Sequence, residues 1–163
     1  MTPTDLVELE KALLLIKKIG LQAENIAIHS PWEEQTLAII EMFDSVPKIL
    51  DIDKWHLNNT HNESYDILIL ANVLMYCNSP TLAINNIFNS CKYVLIQDVI
   101  IRNRGENIFG TDGDCMRYCH GEIKSNFDKA YDLAFWRRRE VFFIPYFERE
   151  NLHFITLMKG NIE

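Results

Sequence analysis

The chain has 163 residues, 48% hydrophobic and 24% charged, with a formal net charge of −7. That length suits one domain spanning 1–163, large enough to bury roughly 70% of its unfolded surface without disulfide or metal staples. The composition excludes extended disorder, no apolar run reaches the ~18 residues of a membrane span, and an acidic whole argues against non-specific nucleic-acid binding.

Leu6, Leu9, Leu13, Leu14 and Ile16 recur at helical spacing, Lys17-Lys18 fall in the last turn, and Gly20 follows as a stop. This predicts an amphipathic helix from about Thr4 to Ile19. The leucine-rich stretch Leu13 to Ile16 follows Asp5, Glu8 and Glu10 and is too short for a signal-peptide core. The expected location is therefore the cytoplasm.

Asn25 to His29 reads as a short strand. Ser30-Pro31-Trp32-Glu33 then has the pattern of a helix start, with Ser30 as N-cap, Pro31 in the first helical position and Glu33 closing a capping box. The helix is expected to carry Leu37, Ile40 and Phe43 inward and to run to about Asp44. Lys48 to Ile52 is another strand, ending on Asp51-Ile52-Asp53, and the Asn-rich stretch Asn58 to Ser64 is a loop.

Tyr65-Asp66 launches the apolar strand Ile67-Leu68-Ile69-Leu70. Ser79-Pro80 starts a helix carrying Ile84, Ile87 and Phe88, and a strand follows from Tyr93 to about Ile100. Residues 102–136 break the rhythm with four glycines among polar residues, an irregular insert of the kind that carries function or mobility. Val141 to Phe147 and Leu152 to Met158 then form a hairpin. Alternating strands and helices predict a parallel sheet with helices on both faces, and near-continuous apolar strands fit burial on both sides.

Cys77, Cys91, Cys115 and Cys119 have no secretory context, so reduced thiols are expected. Cys115-x-x-x-Cys119-His120 falls short of the four ligands and spacing of a zinc site, and buried small residues are the simpler reading. Asp51-Ile52-Asp53 offers two acids, only part of a Mg²⁺ shell. Every arginine lies in the second half, including Arg137-Arg138-Arg139, where Glu140, Glu148 and Glu150 stand near as pairing partners.

The order Tyr65-Asp66, four apolar residues, Val73-Leu74, Met75-Tyr76, Ser79-Pro80 and the strand ending near Asp98 resembles the fourth strand, following helix and fifth strand of class I S-adenosylmethionine-dependent methyltransferases. The likeness covers Pro47 to Arg104 and Glu140 to Gly160. It implies an α/β fold of three layers, Rossmann-like, with a mostly parallel sheet closed by an antiparallel C-terminal hairpin. It also implies S-adenosylmethionine as cofactor. In that family an acid at an early strand end holds the ribose, which places Asp51 or Asp53 against the cofactor, with Asn72 at the next strand's end. Tyr76, Asp98, Asp114, Arg117, Tyr118 and His120 are the candidates for the acceptor side.

The pattern departs from the family upstream. Its first strand leads into a glycine loop, where absent side chains let backbone approach a cofactor. This chain has Ile26-Ala27-Ile28-His29-Ser30-Pro31-Trp32 there, and no glycine between Gly20 and Gly105. Two functions follow: a methyltransferase acting on a small molecule or sugar-type acceptor, or a catalytically silent relative serving as a binding or regulatory subunit. The expected partners are a small-molecule substrate or a protein, or a second copy in a homo-oligomer.

Overall fold

The computed structural model describes residues 3–29, 32–50, 63–71, 86–100, 140–148 and 151–163. They form two helices, α1 (Pro3–Lys18) and α2 (Glu33–Phe43), and six strands: β1 (Ile26–His29), β2 (Lys48–Leu50), β3 (Tyr65–Ala71), β4 (Cys91–Ile100), β5 (Glu140–Glu148) and β6 (Asn151–Lys159). Residues 86–90 are also helical and lead directly into β4.

One sheet holds all six strands in the order β2-β1-β3-β4-β6-β5. The first four run parallel, with Ile28 of β1 against Ile49 of β2 and Ile69 of β3. β6 then enters antiparallel between β4 and β5, as the hairpin in the sequence requires. The mostly parallel sheet with an antiparallel close matches the sequence expectation.

Both faces of the central strands are buried, which explains why they read as continuous apolar runs. On one face Ile26, Ile28, Ile67, Ile69, Leu95, Ile155 and Leu157 meet Leu9, Ala12, Leu13 and Ile16 of α1 and Ile39 of α2. On the other face, Leu68, Leu70, Val94, Ile96 and Phe154 are equally closed to solvent. Burying side chains of this size contributes about 2 kcal/mol each.

α1 ends as its sequence predicts. Gly20 takes φ 78°, its N–H donates to the Lys17 carbonyl, and the Leu21 N–H reaches back to Ile16. This is a Schellman close, in which a left-handed residue satisfies carbonyls the helix leaves open.

α2 corrects two expectations. Its N-cap is Trp32, in extended conformation and with no side-chain cap, in place of the predicted Ser30. Its fully buried residues are Gln35 and Ile39; Phe43 packs against the core as expected, while Leu37 is 58% exposed. Leu14 likewise leaves the predicted apolar stripe of α1 and stands 61% exposed.

Candidate functional site

α/β sheets of this kind bind ligands at the carboxyl ends of their strands, where successive connections leave in opposite directions. Here β1 connects through α2 to β2 on one side, and the chain then returns to place β3 on the other side of β1. The switch point lies between β1 and β3, above His29 and Ala71, both fully buried.

α2 starts at this edge. The Thr36 N–H donates to the Trp32 carbonyl at 3.0 Å, and the Thr36 hydroxyl donates to the same oxygen at 3.1 Å. Gln35 occupies the third helical position, from which a glutamine can reach back to the N-cap backbone. It does not do so. Gln35 is fully buried, and among the described residues neither its Nε2 nor its Oε1 has a hydrogen-bond partner. Such groups cost about 1–3 kcal/mol when left unmade, so an unpaired buried amide in a native fold calls for an explanation.

A second polar cluster lies on the α1 face near the carboxyl end of β4. Gln97 Nε2 donates to the Asp5 carbonyl at 2.9 Å and to the Tyr146 hydroxyl at 2.8 Å, and that hydroxyl donates to Asp5 Oδ1 at 2.7 Å. His153 Nδ1 lies 3.4 Å from Asp5 Oδ1, and its ring stacks on Tyr146 at 5.3 Å. Burial, and then the Asp5 carboxylate, push the Tyr146 hydroxyl well above its ordinary pKa. The phenol stays protonated and ties the start of α1 to three strands. Gln97 Oε1 has no partner among the described residues.

The opposite edge of the sheet is built differently. Asp66 Oδ2 accepts the backbone N–H groups of Glu24 and Asn25, each at 2.9 Å, and Oδ1 lies 3.3 Å from Lys92. The Asn25 bond foremost, with Glu24 and Lys92 beside it, outweighs burial and holds this carboxyl below its usual range. Tyr65 donates to Glu63, which also pairs with Lys48. Burial, reinforced by Glu63, raises the Tyr65 hydroxyl. The aromatic-Asp step that opens β3 is therefore a structural clamp at the amino edge, away from the switch point. Cys91 is a free, buried thiol whose pKa burial pushes up to about 12, so it stays protonated and unreactive at neutral pH.

Among the candidate residues from the sequence, the backbone of Asp98 lies in the sheet, opposite Phe154 of β6 and one residue past the last β3–β4 pair, Ala71 with Gln97. β4 continues beyond it to Ile100, so Asp98 closes the parallel ladder rather than the strand. Asp51, Asp53, Asn72, Tyr76, Asp114, Arg117, Tyr118 and His120 lie outside the described residues, as do Ser30, Pro31, the insert 102–136 and Cys77, Cys115 and Cys119. The described residues hold no group of three or more His, Cys, Asp or Glu side chains placed for a metal ion. No helix among them is long and apolar enough to cross a membrane.

No protein-family model and no curated protein matches the sequence. Solved structures do match the fold. YcgJ of Bacillus subtilis aligns with a TM-score of 0.60 at 8% identity, over 98% of this chain and 100% of its own. The N-terminal domain of EvdMO1, solved in the presence of SAH and D-fucose, aligns with a TM-score of 0.52 at 9% identity, over 99% of this chain and 85% of that domain. A phosphoethanolamine N-methyltransferase of Haemonchus contortus aligns with a TM-score of 0.52 at 12% identity. The chain spans 40% of that enzyme, and 40% of the longer EvdMO1 structure. The likeness is one of fold: this chain has the class I S-adenosylmethionine-dependent methyltransferase fold.

Proposed function

We propose that this chain is an S-adenosylmethionine-dependent methyltransferase acting on a small-molecule acceptor of the sugar type. The observation that carries the reading is the sheet itself, with its switch point between β1 and β3 and its antiparallel close by β6 and β5. A structural neighbour with this fold, the N-terminal domain of EvdMO1, was solved with SAH bound and also in the presence of SAH and D-fucose.

The donors present suit such a ligand. Gln35 offers an unspent buried donor and acceptor in the first turn of α2, at the edge where β1 ends. An amide of this kind matches the hydroxyls and amino-acid moiety of a nucleoside ligand, each able to donate and accept. When bound, the cofactor supplies an electrophilic sulfonium methyl group. The protein's part is to position the acceptor and exclude water. In this reading Asp51 or Asp53, together with Asn72, serves the cofactor, an aspartate accepting from ribose hydroxyls. Tyr76, Asp98, Asp114, Arg117, Tyr118 and His120 serve the acceptor.

Calorimetric titration with S-adenosylmethionine and S-adenosylhomocysteine tests this, with Asp51→Ala and Asp53→Ala beside the wild type. Binding should be measurable, and one of the two substitutions should weaken it by about tenfold or more, the cost of losing a charged hydrogen bond. The absence of both heat and thermal shift at millimolar ligand would sink the reading and leave the role of a binding or regulatory subunit.

A further inference from the structure

We propose that the outer face of α1 and α2 is a self-association surface, and that its occupant is a second copy of this chain related by a two-fold axis. α1 and α2 lie side by side on one face of the sheet, both starting at its carboxyl edge. Between them runs a groove of about 370 Å³, lined by Leu13, Leu14, Ala38 and Met42 together with charged side chains. Leu14 stands at its lip, 61% exposed, and Val7, two turns earlier, is 49% exposed. One patch thus carries both a protruding leucine and a recess that fits one. A two-fold axis places each copy's Leu14 in the other's groove, which is the self-complementarity an isologous interface needs.

The charges repeat the argument. Glu10, Lys17 and Glu41 border the same groove. Glu10 and Lys17 are seven residues apart, hence on one face of α1 about two turns from each other. When two α1 helices cross antiparallel, Lys17 of one protomer meets Glu10 of the other and the reverse pair forms at the far end. Within the described chain none of Glu10, Lys17 and Glu41 is spent on an ion pair, in contrast to Lys11, which pairs with Glu8 at 2.9 Å. An apolar centre flanked by opposite charges gives register as well as attraction.

The test is the mass of the full chain in solution, by sedimentation equilibrium across a wide concentration series. The wild type should dimerise. Leu14→Lys should weaken association about thirtyfold or more, as loss of a central apolar anchor does, and Lys17→Glu about tenfold, through facing acids. The double variant Glu10→Lys with Lys17→Glu restores opposite charges across the axis and should recover most of the loss. All these positions are exposed, and circular dichroism verifies that each variant folds. A wild type monomeric throughout overturns the proposal, as does a dimer indifferent to Leu14→Lys or a charge swap that fails to rescue. None of these outcomes depends on cofactor binding, so the two readings fail separately.

Discussion

The two edges of the sheet treat their polar groups in opposite ways. At the amino edge polar groups are spent on the chain itself: the Asp66 carboxylate takes two backbone N–H groups and faces Lys92, and the Ser45 hydroxyl donates to the Glu24 carbonyl. At the carboxyl edge, among the described residues, Gln35 is fully buried with its whole amide unspent, and Gln97 keeps its Oε1 without a partner. Polar groups met by the chain hold the fold together, as the Asp5–Tyr146–Gln97 bonds do even at the carboxyl edge, whereas the amide atoms left over there store hydrogen-bonding capacity for something else. The contrast teaches where stability ends and function starts in this molecule, and substitutions on the two edges should separate them.

The largest effect is expected at Gly160. It follows β6, donates its N–H to the Lys92 carbonyl at 2.6 Å, and lies so close to Cys91 that a β-carbon there would overlap the Cys91 carbonyl. The obstacle is backbone, which cannot swing aside as a side chain can. Gly160→Ala should cost about 3 kcal/mol in urea unfolding, the scale of an overpacked core. A loss below a few tenths of a kcal/mol would show that the tail is free to move away.

Asp66→Asn should cost less, about 1–2 kcal/mol, because two charge-assisted bonds weaken at a partly exposed site. It should also change the pH dependence. The folded carboxyl titrates below its unfolded value, so its contribution is present above the ordinary value near 3.8 and is lost as the pH falls through the lowered one. Urea midpoints measured downward from pH 6 should therefore fall more steeply for wild type than for Asp66→Asn. Parallel curves would remove the amino-edge clamp from the argument.

Gln35→Met should be the smallest effect on the fold and opposite in sign. It keeps the side chain's length and removes an unpaired amide, so stability should hold or rise by up to about 1 kcal/mol. Binding of S-adenosylhomocysteine should meanwhile weaken severalfold. A variant that loses stability would mean that the amide has a structural task, and the contrast between the edges would fail.

The sequence made some of this architecture legible. Gly20 as a helix stop, the strand from Tyr65, the strand through Val94 and the closing hairpin were readable because each rests on local chemistry: a left-handed cap, a continuous apolar run, an alternating pair around a charged turn. What escaped depended on partners far along the chain. Asp5 and Tyr146 are 141 residues apart, yet their hydrogen bond anchors α1. Nothing near either residue announces it. Asp66 stood in a motif that suggested a functional neighbourhood, and only the position of Glu24 and Asn25 showed it to be a clamp.

The sequence by itself determined the periods, the stops and the order of elements, hence a mostly parallel sheet closed by a hairpin, because hydrophobic patterning and backbone punctuation act over a few residues. The tertiary structure decided which face of α2 turns inward, which carboxylate is structural and which amide is left unspent. Those outcomes depend on how separate segments pack and on whether each buried polar group finds a partner across the fold.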